Sequence, residues 1–205
     1  MSEASKELSA GAREERRSQE RHTLILRAGL LEQQGKPAFC LAKNISASGI
    51  QVKLYTQASI DHDVRICVAD EEPLDGRIIW IRDGVAGIRF DKRIDPQTLL
   101  RFQQKLRPVR RRSMPRIKVS GHTSVRMGGR NIPSVLQDIS SMGARITTPK
   151  PLEVGGVALV SFPGLPEVRA YVRWVEECES GLVFETPIPM QVIAQWVDSR
   201  SRESA

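Results

Sequence analysis

The chain is 205 residues long and carries 31 lysines and arginines against 24 acidic residues, a net charge of +7. Its three cysteines, Cys40, Cys67 and Cys178, are too few and too scattered for a disulfide framework or a metal site, and no apolar run is long enough to span a bilayer. Most of the basic residues are arginine, which suits two-pronged recognition of phosphates and guanine edges; a solvated basic surface is the plain alternative.

Residues 1–12 are small and polar, without periodicity, and are expected to be disordered. The charged run that follows, through Arg21, contains no apolar segment of the kind that leads a signal peptide, so a soluble, cytoplasmic protein is expected. From Leu24 onward apolar residues alternate with polar or small ones: Leu24 and Leu26, Phe39 and Leu41, Ile50, Val52 and Leu54, Val64, Ile66 and Val68. That period of two marks half-buried strands. Gly35-Lys36 and Asp83-Gly84 read as hairpin turns between them, and Ile78, Trp80, Ile88 and Phe90 supply the last pair. About six short strands in one half-chain predict an antiparallel barrel. Asp95 then caps a helix that opens on Pro96 and carries Leu99, Phe102 and Leu106 at helical spacing, and Arg107-Pro108 stops it.

The second half repeats this plan. Aligning Ser46 with Ser140 gives an offset of 94 (140 − 46), which also carries Gly35 to Gly129, Gly49 to Gly143, Trp80 to Trp174, Gly87 to Gly181, Phe90 to Phe184 and Phe102 to Trp196. Duplication of one structural unit is the economical account. Gly155-Gly156 and Pro163-Gly164 add turns, and a second helix is predicted from Pro187 to Asp198, with Met190, Ile193, Trp196 and Val197 on one face. The expected division is a first domain at 13–107, a second at 108–200 and a disordered tail at 201–205. Each half buries only a modest core, which favours a small barrel over a deep enzyme fold.

Two motifs recur in order in both halves. Arg17 and Arg21 precede Asn44-Ile45-Ser46-Ala47-Ser48-Gly49, and Arg112 and Arg116 precede Asp138-Ile139-Ser140-Ser141-Met142-Gly143. The arginine pair is spaced by 95, one more than everything else (112 − 17). Singly, each motif is ordinary. Arginines four apart arise by chance in an arginine-rich chain, as at Arg89 and Arg93, and Asp or Asn followed by Ser and Gly is common turn chemistry with glycine at positive φ. Their joint recurrence favours ligand recognition: guanidiniums on an extended segment grip an anion and stack on purines, while a carboxylate or amide beside a hydroxyl matches a guanine edge.

This double pattern, Arg-x-x-x-Arg followed by Asp/Asn-x-Ser-x-x-Gly, resembles the PilZ family of cyclic di-GMP receptors, over nearly the whole chain as two tandem domains. The resemblance implies a mainly β fold of two six-stranded antiparallel barrels, each followed by a short helix. It implies ligand contacts from Arg112, Arg116, Asp138, Ser140 and Gly143 in the second domain, with Arg111 as an added basic contact. In the first domain it implies Arg17, Arg21, Asn44, Ser46 and Gly49, with Arg16 beside them. Glu20 before Arg21 and Asn44 in place of Asp are mild departures, so the second domain is ranked first for binding.

Other clusters carry less. Asp61-His62-Asp63 alternates across a strand or turn and reads as a solvated corner, His22 and His122 lack a matching nucleophile, and Trp80 and Trp174 read as core. No Gly-rich loop with lysine is present, Gly128-Gly129 reading as a hairpin. The expected protein is therefore a receptor, not an enzyme, with cyclic di-GMP as ligand, no cofactor or metal, a downstream protein partner, and neither DNA, RNA nor membrane insertion. A basic nucleic-acid-binding barrel is the rival, weakened by an aromatic content of 5%; an interaction module with one or both sites inactive is another.

Overall fold

The period of two in the sequence appears as twelve strands in the computed structural model, which describes residues 22–68, 72–95 and 114–203. The first six are β1 (His22–Gln33), β2 (Lys36–Ser46), β3 (Gly49–Leu54), β4 (Asp63–Val68), β5 (Leu74–Arg82) and β6 (Val85–Phe90). The second six are β7 (Ile117–Met127), β8 (Arg130–Ser140), β9 (Gly143–Thr147), β10 (Val157–Ser161), β11 (Val168–Glu176) and β12 (Glu179–Phe184), followed by helix α1 (Met190–Glu203). Each set closes into an antiparallel barrel, in the orders β1-β2-β3-β6-β5-β4 and β10-β11-β12-β9-β8-β7. Closure pairs the edge strands that an open sheet of this size would present to other chains.

The inward positions of the two barrels correspond at the offset of 94. Ile45, Ile50, Val52, Ile66, Ile78 and Ile88 fill the first, and Ile139, Ala144, Ile146, Val160, Val172 and Leu182 take their places in the second. Irregularities repeat as well: the ladder slips between Ala42 and Asn44 and between Leu136 and Asp138, and again between Ile78 and Trp80 and between Val172 and Trp174. One slip differs. In β1 the register jumps from Thr23 to Arg27, whereas in β7 it jumps from Lys118 to Gly121, so the first bulge is one residue longer. That extra residue accounts for the arginine spacing of 95.

Helix α1 opens at Met190, later than the predicted Pro187, because Pro189 steers Ile188 away from helical angles; the Ile193 amide then donates to the Pro189 carbonyl at 3.1 Å. It runs to Glu203, past position 200 where a disordered tail was expected, since neither proline nor glycine interrupts Asp198–Glu203. Ile193, Ala194, Trp196 and Val197 are buried, and the Trp196 ring meets Phe162 edge-on while its Nε1 donates to the Pro163 carbonyl at 2.8 Å. The helix predicted after Asp95, like the N-terminal 1–12, lies outside the described residues.

The barrels meet through a side chain that strand alternation turns outward. Cys40 faces the first core, where burial, with Cys67 contributing, pushes its thiol up to about 12 and leaves it protonated. Phe39, one residue earlier, is 1% exposed yet belongs to the apolar cluster of the second barrel, with Ile117, Ala194 and Val197. Half-buried Leu30 and Tyr55 join it there.

Truncating Phe39 to Ala removes an aromatic ring from a closed interface and is expected to cost about 3 kcal/mol. Equilibrium denaturation should then resolve two transitions in place of one, as each barrel unfolds by itself.

Candidate functional site

The two polar turns connect β2 to β3 and β8 to β9, and a bulge precedes each. After Ala42 and after Leu136 the ladder resumes at Asn44 and Asp138, so the bulge sets which way the amide and the carboxylate face. The hairpin register then fixes their partners across the turn. Asn44 stands opposite Gln51, and Asp138 stands opposite Arg145.

The glycines that end the turns do not serve positive φ, as turn chemistry alone predicts. Left-handed glycines lie elsewhere, at Gly35, Gly84, Gly128, Gly129, Gly155 and Gly164. A side-chain carbon on Gly49 would stand 2.4 Å from the Ile88 carbonyl oxygen, and one on Gly143 2.2 Å from that of Leu182. Glycine is required because the barrel's last strand passes directly against the turn. Turn carbonyls also secure the chain leaving that strand: Ala47 accepts from the Ile94 amide at 2.9 Å and Ser141 from Ile188 at 2.8 Å.

In the second barrel the turn is charged and covered. Asp138, 7% exposed, accepts from Arg116 Nη1 at 2.5 Å on one oxygen and from Arg145 Nε at 2.9 Å on the other. Arg145 also reaches Glu179 at 3.4 Å. Breaking one member of such a cluster leaves a poorly solvated charge, so its cost exceeds that of an exposed pair. The Ser140 hydroxyl is used within the turn, donating to the Gly143 carbonyl at 3.2 Å and accepting from the Met142 amide at 3.3 Å.

The first barrel has the same backbone with different chemistry. Asn44 Nδ2 donates to Gln51 Oε1 at 2.7 Å, a neutral pair where the second barrel has an ion pair, and this leaves the Asn44 carbonyl oxygen as an acceptor. Ser46 donates to the Gly49 carbonyl at 3.2 Å. A surface cavity of about 200 Å³ opens here, lined by Asn44, Ser46, Gly49, Gln51, Trp80 and Arg89 among others.

Trp80 and Trp174 are not core residues. Both are half-buried, because the bulges after Ile78 and Val172 break the alternation that would have turned them inward. Each indole lies over a glycine: a side-chain carbon on Gly87 would be 2.1 Å from Trp80 Nε1, and one on Gly181 2.0 Å from Trp174 Nε1.

Of the predicted site residues, Arg116, Asp138, Ser140 and Gly143 converge in the second barrel, and Asn44, Ser46 and Gly49 in the first. Arg16, Arg17, Arg21, Arg111 and Arg112 lie outside the described residues. Sequence reasoning missed Arg145, Gln51 and Arg89. The first two were readable, since a hairpin closed by Ser140 and Gly143 places residue 145 opposite 138; Arg89 was set aside as a chance spacing. Asp61-His62-Asp63 is an exposed corner, with Asp61 at φ 61° and Asp63 paired to Arg77 at 2.8 Å. Among the described residues no group of three metal-ligating side chains is assembled, and no helix is long and apolar enough to cross a membrane.

Comparison with known proteins matches the PilZ domain twice, over residues 15–107 and 110–199. No curated protein matches the chain. Among solved structures, PlzA of Borreliella burgdorferi in complex with c-di-GMP is similar at 12% identity and a TM-score of 0.34, covering 92% of this chain and 98% of that one. The inhibitor of motility MotI/DgrA of Bacillus subtilis is similar at 14% and 0.36, covering 86% and 97%. MrkH of K. pneumonia in its apo state is similar at 12% and 0.33, covering 95% and 93%.

Gly143→Ala is expected to push β9 from β12 and to lower stability by about 1–3 kcal/mol. A thermal melt beside Gly129→Ala, whose added carbon meets no atom within 4 Å but sits at φ 75°, separates crowding from backbone strain.

Proposed function

We propose, from the premise that this chain belongs to the PilZ family through both of its halves, that it is a cyclic di-GMP receptor and not an enzyme. One observation carries the reading for the second barrel. Arg116, from the arginine motif, and Asp138, from the polar turn, lie 22 residues apart in sequence and meet at 2.5 Å. The two motifs therefore act at one place, with a cation and an acceptor side by side.

In this reading the guanidinium of Arg116 is held beside the turn by Asp138 until a phosphate competes for it. Arg111 and Arg112 close on the ligand from the preceding segment, and Asp138 accepts from the guanine edge. In the first barrel Arg16, Arg17 and Arg21 do the same above Asn44 and Ser46. Fixing the arginine side chains on the ligand costs conformational entropy, which charge-assisted contacts to a doubly charged ligand must exceed.

The same geometry supports a route for the signal. Arg116 is followed at once by Ile117, the first residue of β7, which packs in the cluster that holds Phe39 of the first barrel. Engagement of the arginine segment thus acts next to the interface between barrels, and a change in how they sit is what a protein partner would read.

Isothermal titration of the full chain with cyclic di-GMP tests this. Arg116→Ala and Arg112→Ala should each weaken the second-barrel site by roughly tenfold or more, as loss of a charge-assisted contact does. Arg17→Ala and Arg21→Ala should act on the first. Affinity that is unchanged in all four variants overturns the mechanism.

A further inference from the structure

Comparing the barrels position by position singles out one row of residues on their outer faces. In the second barrel Val157, Tyr171 and Val183 are register partners across β10, β11 and β12, and Val183 stands opposite Gly143 of the polar turn. In the first barrel the same row is Asp63, Arg77 and Arg89, and Arg89 stands opposite Gly49. A position beside the turn is apolar in one copy and a guanidinium in the other.

Arg89 is placed to matter in three ways. It lines the same cavity as Asn44, Ser46, Gln51 and Trp80, so it shares a surface with the motif residues. Its cross-strand neighbour Arg77 is neutralised by Asp63, with Nε to Oδ1 at 2.9 Å, whereas no carboxylate among the described residues pairs with Arg89. That pairing takes up the charge of Arg77, so in this row the guanidinium left to meet an anion seated in the cavity is that of Arg89. Finally, the turn beside it is neutral. Across the hairpin there Asn44 pairs with Gln51, and among the described residues no acid takes the cation as Asp138 and Glu179 take Arg145 in the second barrel.

We infer that Arg89 is an additional phosphate-binding residue of the first-barrel site, supplied by the barrel wall and not by the arginine segment. The inference rests on the receptor reading above and deepens it: the two sites hold their anion from different directions. The first meets it with a free wall arginine beside a neutral amide, and the second with arginines that must first release a carboxylate. Affinity at the first site then depends on Arg89, and at the second the corresponding Val183 contributes nothing of the kind.

The test is a titration of the full chain with cyclic di-GMP in a background where Arg116→Ala and Ser140→Ala silence the second barrel. Arg89→Ala should weaken the remaining site roughly tenfold or more, and Arg89→Lys, which keeps the charge but loses the fork, should fall between. Arg65→Ala removes an equal charge from an exposed pair elsewhere on the same barrel and should leave affinity within about twofold. Because Arg89 is exposed, its variants should melt with the parent. If Asn44→Ala abolishes binding while Arg89→Ala leaves it intact, the inference is overturned and the receptor reading stands. A background protein that binds nothing at its first barrel also overturns it. No binding by the wild-type chain removes both.

Discussion

Everything at the two sites is located by the contact between a turn glycine and the carbonyl of the strand that passes it. At Gly49 and at Gly143 there is no room for a side chain, because the Ile88 and Leu182 oxygens occupy the space. That contact locks the hairpin to the last strand, and the hairpin register then decides what faces what. Asn44 meets Gln51 and Asp138 meets Arg145 because the count from the turn allows no other partner. The strand against the glycine brings Arg89 in one barrel and Val183 in the other to the edge of the same turn.

On a shared backbone the copies have diverged in electrostatics while keeping their packing. Most apolar positions inside the barrels exchange for other apolar residues, and where a polar one enters it is small, Ser134 for Cys40 and Ser180 for Ala86, since volume there is fixed by closure. The outward positions are free to change, and they have: a neutral amide pair faces a carboxylate held by two arginines, and a charged row faces an apolar one. At the polar turns the frame is kept and the charge on it is changed.

Much of this was legible in the residues. Alternation marked the strands, the offset of 94 marked the duplication, and the two motifs marked the turns. What escaped had local physical causes. Trp80 and Trp174 sit in apolar runs, yet bulges turn them outward, and a bulge has no strong composition signal of its own. The glycine of the polar turn was legible as necessary but for the wrong reason, since positive φ and a close carbonyl demand the same residue. The helix end at Glu203 was missed because a polar terminus reads alike whether it frays or continues. Arg89 was passed over because its place beside the turn comes from β3 pairing with β6, a neighbour 40 residues away in sequence (89 − 49).

The unequal bulges of β1 and β7 bear on how such a duplicated chain tolerates changes in length. A strand reverses the facing of every side chain for each residue gained or lost, so an insertion between the arginine motif and the ladder would ordinarily turn one of them away from the other. Here the additional residue sits in the unpaired stretch between Thr23 and Arg27, and pairing on both sides of it proceeds as in the second copy: His22 faces Ile45 as Ile117 faces Ile139. The bulge works as slack in the chain, absorbing an indel without altering how the strand pairs on either side of it. The difference in length between the copies thereby falls at a place on the strand where it leaves the ladder, and the polar turn beyond it, untouched.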